Sequence, residues 1–143
     1  MRRNQRQAAL VCVTNQYSCE RLIRAGRDLA KSEGLELRVL CVQPPEFANN
    51  SYLTEIEYLF AASRRAGAEM IVYYREDPVR AAVAYIRANR IAQIVLGGVP
   101  DVTRSAFISG IRAQCTQIPV SIVDGSGELV LLSGGKSRVV VLG

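Results

Sequence analysis

Short apolar runs alternate with segments of helical periodicity along most of the chain. Five runs rich in Val, Ile and Leu predict strands at 8–14, 37–43, 70–74, 94–96 and 119–123. The segments between them carry apolar residues three and four positions apart and predict four helices. Because the strand runs are continuously apolar, the strands are expected to be buried on both faces. The pattern predicts an open, Rossmann-like α/β fold, with a five-stranded parallel sheet covered by helices on both faces.

Several residues predict where the helices begin and end. Ser18 is suited to cap the first helix, and Gly34 to end it in the left-handed conformation. Leu22 and Gly26 belong to the apolar stripe of that helix, and Cys115 is expected on the apolar face of the fourth. Asp77 followed by proline predicts the start of the third helix.

The C-terminal segment has a different pattern. Two β-like runs, 128–132 and 138–142, flank a glycine-containing turn and predict a hairpin. We therefore divide the chain into a flexible basic tail at 1–6, an α/β domain at 7–124 and a β-hairpin extension at 125–143. Because an isolated hairpin is marginal in water, this one is expected to pack on the sheet or on another subunit.

Composition narrows the classes of function. No apolar run approaches the roughly 18 residues of a membrane span, and the N-terminus lacks a signal-peptide pattern, so a cytoplasmic location is expected. Four cysteines without a CxxC pair, in a chain without histidine, argue against disulfides and against a zinc or other metal site.

The net charge of +5 has two interpretations at the first helix. Arg21, Arg24, Arg27 and Lys31 share one face, which is either a solvated surface or a patch for phosphate, nucleic acid or an acidic partner. No aromatic residues interleave with these cations, so nucleic acid is disfavoured.

Catalysis is not expected, because no nucleophile–base pair is evident and there is no histidine. Asp101 lies in the loop after the fourth strand and is interpreted either as a solvated loop acid or as a residue that faces a ligand. Cys19, at a helix N-terminus, leaves thiol chemistry as an alternative, and weak nucleotide hydrolysis is a second.

A ligand site is expected where the parallel strands end, since open α/β sheets bind ligands beyond the carboxyl ends of their strands. Thr14, Val42 and Gly97 mark three of these ends. Gly97-Gly98 precedes a helix and is interpreted either as a tight turn or as a turn that faces a phosphate.

The layout of residues 8–124 resembles the universal stress protein family, through Leu-Val-Cys-Val-Thr-Asn at 10–15 and Gln-Ile-Pro-Val-Ser-Ile-Val at 117–123. Residues 18–26 look most like the universal-stress-protein domain of potassium-sensing histidine kinases. The resemblance implies the sheet order 3-2-1-4-5. It also implies a homodimer formed through the fifth strand, a role in stress response or signalling, and a protein partner in that signalling. We expect the C-terminal hairpin to extend or brace this dimer.

The resemblance also implies an impaired ATP site. Members that bind ATP carry G-x2-G-x9-G-[ST] after the fourth strand, and the four matching positions here are Gly97, Pro100, Gly110 and Ile111. Proline removes an amide donor, and isoleucine removes a hydroxyl. The aspartate that such members place after strand one is replaced by Thr14.

Members that bind a cyclic dinucleotide use Ser-x-Ser after strand one and a later Phe-Thr-Ala. Here the first motif reads Thr-Asn-Gln at 14–16, and the second is missing. Two functions remain open: a dimeric partner-binding module without a certain cofactor, and a sensor that binds ATP, another adenine nucleotide or a cyclic dinucleotide in a non-standard pocket. The candidate ligand residues are Thr14, Asn15, Gln16, Val42, Leu96, Gly97, Gly98, Gly110 and Ile111.

Overall fold

The computed structural model of this 143-residue chain describes residues 6–98, 105–133 and 136–140. Within these ranges one seven-stranded sheet has the order β3-β2-β1-β4-β5-β6-β7. The strands are β1 (Ala8–Val13), β2 (Glu36–Gln43), β3 (Glu69–Tyr74), β4 (Ile91–Gly97), β5 (Val120–Val123), β6 (Leu129–Ser133) and β7 (Lys136–Val140). The first five are parallel to one another, which confirms the predicted fold and strand order.

Helices cover both faces of the sheet. They are α1 (Glu20–Glu33), α2 (Leu53–Arg65), α3 (Pro78–Ala88) and α4 (Ala106–Gln114). Helices α1 and α2 pack on one face, and α3 and α4 on the other. Short 3-10 helices, Tyr17–Cys19 and Pro45–Asn49, follow β1 and β2. Within the described ranges, no helix has both the length and the apolar character that a membrane crossing requires.

Strand β1 is the centre of the core because it has a neighbouring strand on each side and a helical layer on each face. Ala9 and Val11 point to the α1–α2 layer, and Leu10 points to the α3–α4 layer. All three are fully buried. Burial on both faces explains why the strand is apolar throughout instead of alternating.

The C-terminal hairpin continues the sheet. Strand β6 runs antiparallel to β5, with Leu129 opposite Val123, and β7 runs antiparallel to β6. The hairpin strands are shifted from the predicted ranges, and residues 141–142 lie outside the described part of the chain. Strand β5 therefore has a neighbour on each edge, and β7 and β3 are the two outer strands of the described sheet.

Several helix boundaries agree with the sequence pattern. The Asp77 side chain accepts a hydrogen bond from the Arg80 amide at 3.1 Å and caps α3, and Gly34 ends α1 with a φ of 68°. The prediction that Ser18 caps α1 is wrong. Ser18 lies inside the first 3-10 helix, and Cys19 occupies the N-cap without a side-chain cap bond. Cys115 is likewise the C-cap of α4 and not part of the helix, although it is buried.

Gly26 lets α1 lie directly against β1. A Cβ atom at this position would collide with Val11 Cγ2 and would come within 3.2 Å of Leu37 Cδ1. Val11 is itself completely buried, so it has no space to move away. The closeness of the helix to the sheet therefore depends on the missing side chain.

We expect Gly26→Ala to lower the free energy of unfolding. Overpacking of a core costs about 1–3 kcal/mol, which exceeds the ~1 kcal/mol that alanine gains over glycine inside a helix. Chemical denaturation would measure the change. Gly125→Ala is the matched control, because nothing lies within 4 Å of a Cβ there. Equal stability of the two variants would contradict this account of the helix–sheet contact.

Candidate functional site

A cleft of about 500 Å³ opens at the carboxyl ends of the central parallel strands. Its walls come from the ends of β1, β2, β4 and β5 and from the N-terminal ends of α1, α3 and α4. The described lining consists of Cys12, Val13, Thr14, Gln16, Ser18, Cys19, Arg21, Leu22, Leu40, Val42, Pro78, Leu96, Gly97, Gly98, Ser105, Phe107, Ile108, Val123, Asp124 and Gly125. Most of these side chains are apolar, and the polar ones come from strand ends and helix starts.

The structure brings six of the nine candidate residues together around this cleft. They are Thr14, Gln16, Val42, Leu96, Gly97 and Gly98. Asn15 is a neighbour of two lining residues but does not line the cleft itself. Residues chosen because they lie at or near the carboxyl ends of the strands, the strand-end rule, therefore lie around one cleft.

Gly110 and Ile111 do not line the cleft, because both serve the packing of α4. Ile111 is completely buried in the core between the sheet and the α3–α4 layer. A Cβ at Gly110 would lie 2.9 Å from both methyl groups of Val79, at the contact between α3 and α4. Pro100 and Asp101 belong to the segment 99–104, for which the structure gives no description.

The Gly97-Gly98 turn is bound to the neighbouring strand. The Gly98 amide donates to Val123 O at 2.9 Å. A Cβ at Gly98 would also lie 2.9 Å from that carbonyl oxygen, so glycine is needed for the close approach of the two chains. These contacts favour the tight-turn interpretation over a turn whose amides face a phosphate.

Two thiols lie in the wall of the cleft. The Thr14 amide donates to Cys19 Sγ at 3.4 Å, and the Thr14 hydroxyl is also 3.4 Å from that sulfur. Cys19 is only 6% exposed. Burial among apolar side chains raises the pKa of the half-buried Cys12 thiol to about 12. Cys12 is therefore protonated, and unreactive as a nucleophile, at neutral pH.

The rim contains one cation and one anion that the sequence analysis did not assign to the site. Arg21, at the start of α1, donates to Gly125 O at 3.0 Å. Asp124 Oδ1 accepts from the Ser126 hydroxyl at 2.7 Å and from the amides of Ser126 and Glu128 at 3.0 and 2.9 Å. These hydrogen bonds, the one from the Ser126 hydroxyl first, lower the pKa of the Asp124 carboxyl, so the group is charged at neutral pH.

The strand-end rule would have found Asp124, because it directly follows β5. Arg21 was assigned only to a charged helix face. Its place at the cleft depends on a contact across 104 residues, which no local pattern shows.

No protein-family model matches the sequence, and no curated protein sequence matches it. Solved structures do match. A universal stress protein from Archaeoglobus fulgidus aligns with a TM-score of 0.67 at 17% identity, over 84% of this chain and 93% of that one. The universal stress protein from the same organism in complex with dAMP aligns with a TM-score of 0.61 at 17% identity, over 82% and 96%. A universal stress protein in complex with cAMP aligns with a TM-score of 0.63 at 18% identity, over 85% of this chain and 98% of that one.

The chain has the fold of the universal stress proteins. The alignments span most of both chains. At 17–18% identity they establish the universal-stress-protein architecture and leave the ligand and the biological role to be argued from the cleft. The sheet order that the sequence resemblance implied agrees with this fold.

The role of Gly110 as a packing residue leads to a prediction. We expect Gly110→Ala alone to be neutral or destabilising by up to about 2 kcal/mol, since overpacking against Val79 offsets the gain in helix propensity. In a Val79→Ala background the clash is removed, so the same substitution should stabilise the protein by ~1 kcal/mol.

Chemical denaturation of the unaltered protein, the two single variants and the double variant would give the effect of Gly110→Ala on the free energy of unfolding in each background. The same effect of Gly110→Ala in both backgrounds would contradict the contact between Gly110 and Val79.

Proposed function

We propose that this chain is a nucleotide-responsive module of the universal-stress-protein type, which binds a nucleoside-type ligand in the cleft and catalyses no reaction. The cleft itself carries this proposal. It is preformed, it has an apolar floor, and it lies where open parallel sheets place their ligands. Its volume of about 500 Å³ is within the range of small-molecule sites.

The lining suits a flat heterocyclic ring with polar edges. Val42 and Phe107 are half-buried and offer apolar and aromatic surface on which a base can pack. The side chains of Gln16 and Ser18 form no hydrogen bond with the described part of the chain, so their donors and acceptors are available at the rim. Two proteins of this fold were solved with dAMP and cAMP, which supports the same class of ligand here.

The proposal of a non-catalytic module rests on the chemistry of the lining. The Cys12 thiol has a pKa of about 12. Cys19 is buried and hydrogen-bonded to Thr14. The sequence has no histidine that would act as a general base at neutral pH. These features support binding without turnover.

A substitution that fills the cleft would test the binding site. Val42 is half-buried at the end of β2 and lines the cleft, so Val42→Phe should weaken the binding of a nucleoside by at least roughly tenfold. Isothermal titration with adenosine and AMP would measure it. Thr54→Phe, on the exposed surface of α2, is the control and should bind as the unaltered protein does. If no nucleoside or nucleotide binds the folded, unaltered protein, the proposed function is wrong.

A second candidate function is a dimeric module that acts through a protein partner, and the outer strand of the sheet favours it. Strand β5 has both edges occupied, so we propose that a homodimer forms through β7 of the hairpin and not through β5 directly. An edge strand can pair with its symmetry mate, and C2 symmetry makes such a contact self-complementary. The cytoplasmic location, the signalling role and the relation to the histidine-kinase domain stay predictions of the sequence.

Proline substitutions in β7 would test this dimer. Consecutive amides of a strand point to opposite edges, so one of Ser137→Pro and Arg138→Pro removes an amide that faces β6, and the other removes one that faces outward. We expect the outward-facing proline to leave the fold intact and to give a monomer in sedimentation velocity. A folded dimer in that variant would contradict pairing through β7, and a monomeric unaltered protein would contradict dimerisation altogether.

A further inference from the structure

We propose that the exposed side of α3 and α4, the α3–α4 surface, is a docking site for an acidic helix of a partner protein. This inference rests on the second candidate function, since it names the chemistry of the protein partner. It requires neither the nucleotide cleft nor the dimer through β7. Three observations support it: the charge of the surface, the groove between the two helices, and the side chains that α4 exposes.

The part of the sequence that builds the α3–α4 surface is basic. From Pro78 to Val123 it has no lysine and a single acidic residue, Asp101, against five arginines, which are Arg80, Arg87, Arg90, Arg104 and Arg112. Asp101 and Arg104 both belong to the segment 99–104, where their formal charges cancel. The remaining arginines give this part of the chain an excess of positive charge.

The opposite helical layer offsets part of its positive charge with its own carboxylates. On α1, Arg27 pairs with Asp28 at 3.3 Å, and Arg65 of α2 lies 3.7 Å from Glu20. Helices α3 and α4 contain no acidic residue with which such pairs could form. A complementary carboxylate therefore has to come from another molecule.

A groove of about 430 Å³ separates the arginines of α3 from α4. It is lined by Asp77, Val79, Arg80, Val83, Ala84, Arg87 and Gln114. Its base is apolar, because Val83 is buried and Val79 meets α4 at Gly110. Ala84 is exposed and small, so it leaves the groove open to solvent. The surface thus combines an apolar base with a rim of guanidinium groups, as the centre of many protein interfaces does.

Two arginines on the rim are available to bind carboxylates. The Arg80 side chain forms no hydrogen bond with the described part of the chain. Arg87 donates from one amine to Gln114 Oε1 at 3.3 Å and retains its other N–H groups. The carboxylate of Asp77, at the end of the groove, accepts from the Arg80 amide at 3.1 Å and so serves the N-terminus of α3.

The solvent side of α4 carries small, uncharged residues. Ala106, Ser109 and Ala113 are exposed and three to four positions apart, so they share one side of the helix. Arg112, the one charged residue within α4, is half-buried. A solvated helix usually places charged side chains on its outer face. Small residues there allow a second helix to approach closely.

The spacing of the arginines defines the complementary partner. Arg80 and Arg87 are seven positions apart and thus about 10 Å apart along α3. A helix that lies along the groove would meet both with carboxylates that are also seven positions apart. Guanidinium groups bind carboxylates through two parallel hydrogen bonds.

A protein partner fits the surface better than a nucleic acid does. The exposed large apolar side chains of the described chain all lie outside α3 and α4, so this surface exposes no aromatic ring on which a base could stack. The apolar groove and the small side chains of α4 have the shape that a helix requires. They offer nothing to a phosphate backbone, which would use the arginines alone.

Selection of helical peptides displayed on phage against the full-length protein would test the inference. The probe library is an alanine- and leucine-based helix with randomised surface positions. We expect the selected peptides to be enriched in pairs of Asp or Glu seven positions apart. Synthetic copies should bind more weakly as the ionic strength rises. The inference is overturned if no peptide is enriched, or if the enriched peptides lack acidic residues.

The charge contribution would be tested by the double variant Arg80→Gln/Arg87→Gln. It should weaken the binding of the selected peptide at least about fivefold, as expected for the loss of two exposed ion pairs. The control Arg24→Gln/Arg64→Gln removes two exposed arginines from α1 and α2 and lowers the net charge equally. It should bind as the unaltered protein does in isothermal titration. Equal losses in both variants would show attraction by net charge alone and contradict the docking site.

The groove would be tested by Ala84→Trp, which fills it and should weaken peptide binding by at least roughly tenfold. Ala61→Trp, at an exposed position of α2, is the matched control and should leave binding unchanged. Circular dichroism would confirm that both variants fold. Unchanged binding by the folded Ala84→Trp variant would contradict docking in the groove.

An oligothymidylate and phosphatidylglycerol vesicles would test other anionic occupants. Binding of either one that is lost in Arg80→Gln/Arg87→Gln would assign the surface to phosphate groups and overturn the proposal of a protein partner. The other proposals have separate measurements. If nucleosides bind and the protein dimerises but no peptide binds, only this inference fails. If the peptide binds and nucleosides do not, this inference stands and the nucleotide function is wrong.

Discussion

The cleft depends on how closely α1 lies on the sheet, and Gly26 sets that distance against Val11. One turn toward the N-terminus, Leu22 covers Gly97. A Cβ atom at position 97 would lie 3.1 Å from Leu22 Cδ2. Another turn earlier, Cys19 meets the Thr14 amide. A helix seated farther out would separate these groups. A contact deep in the core thus determines the position of the cleft wall several residues away.

The fold was predictable because its signals are local. Continuous apolar runs identify buried strands without knowledge of their neighbours, and Asp77-Pro78 and Gly34 specify backbone conformations at single positions. The start of α1 was not predictable in this way. Ser18 has the chemistry of a cap, but the short path from β1 to α1 bends through a 3-10 turn in which the Cys19 amide donates to Gln16 O. This turn places Ser18 inside the 3-10 helix and Cys19 at the N-cap of α1.

The site was predictable only where it depends on topology. Parallel strands end at the same edge, so Thr14, Val42 and Gly97 had to lie near one another. The spacing of the G-x2-G-x9-G-[ST] motif does not locate residues in the same way. It places the later positions at the cleft only if the loop before α4 has the shape that the motif assumes. In this chain the phase of α4 turns Gly110 toward Val79 and Ile111 into the core. Asp124 directly follows β5 and could have been found from its place at a strand end, whereas Arg21 comes to the rim through a contact across 104 residues, which a single sequence does not reveal.

The two halves of the cleft are subject to different physical constraints. The floor is built from strand residues such as Leu40 and Leu96, which are buried and needed for the core whether or not a ligand binds. The phosphate side would be built from loop amides, whose only structural requirement is that each finds a partner. In this chain Gly98 and Thr14 find those partners within the protein. The floor of this cleft therefore persists for as long as the chain folds, while the side formed by the strand-end amides depends on the partners that those amides find.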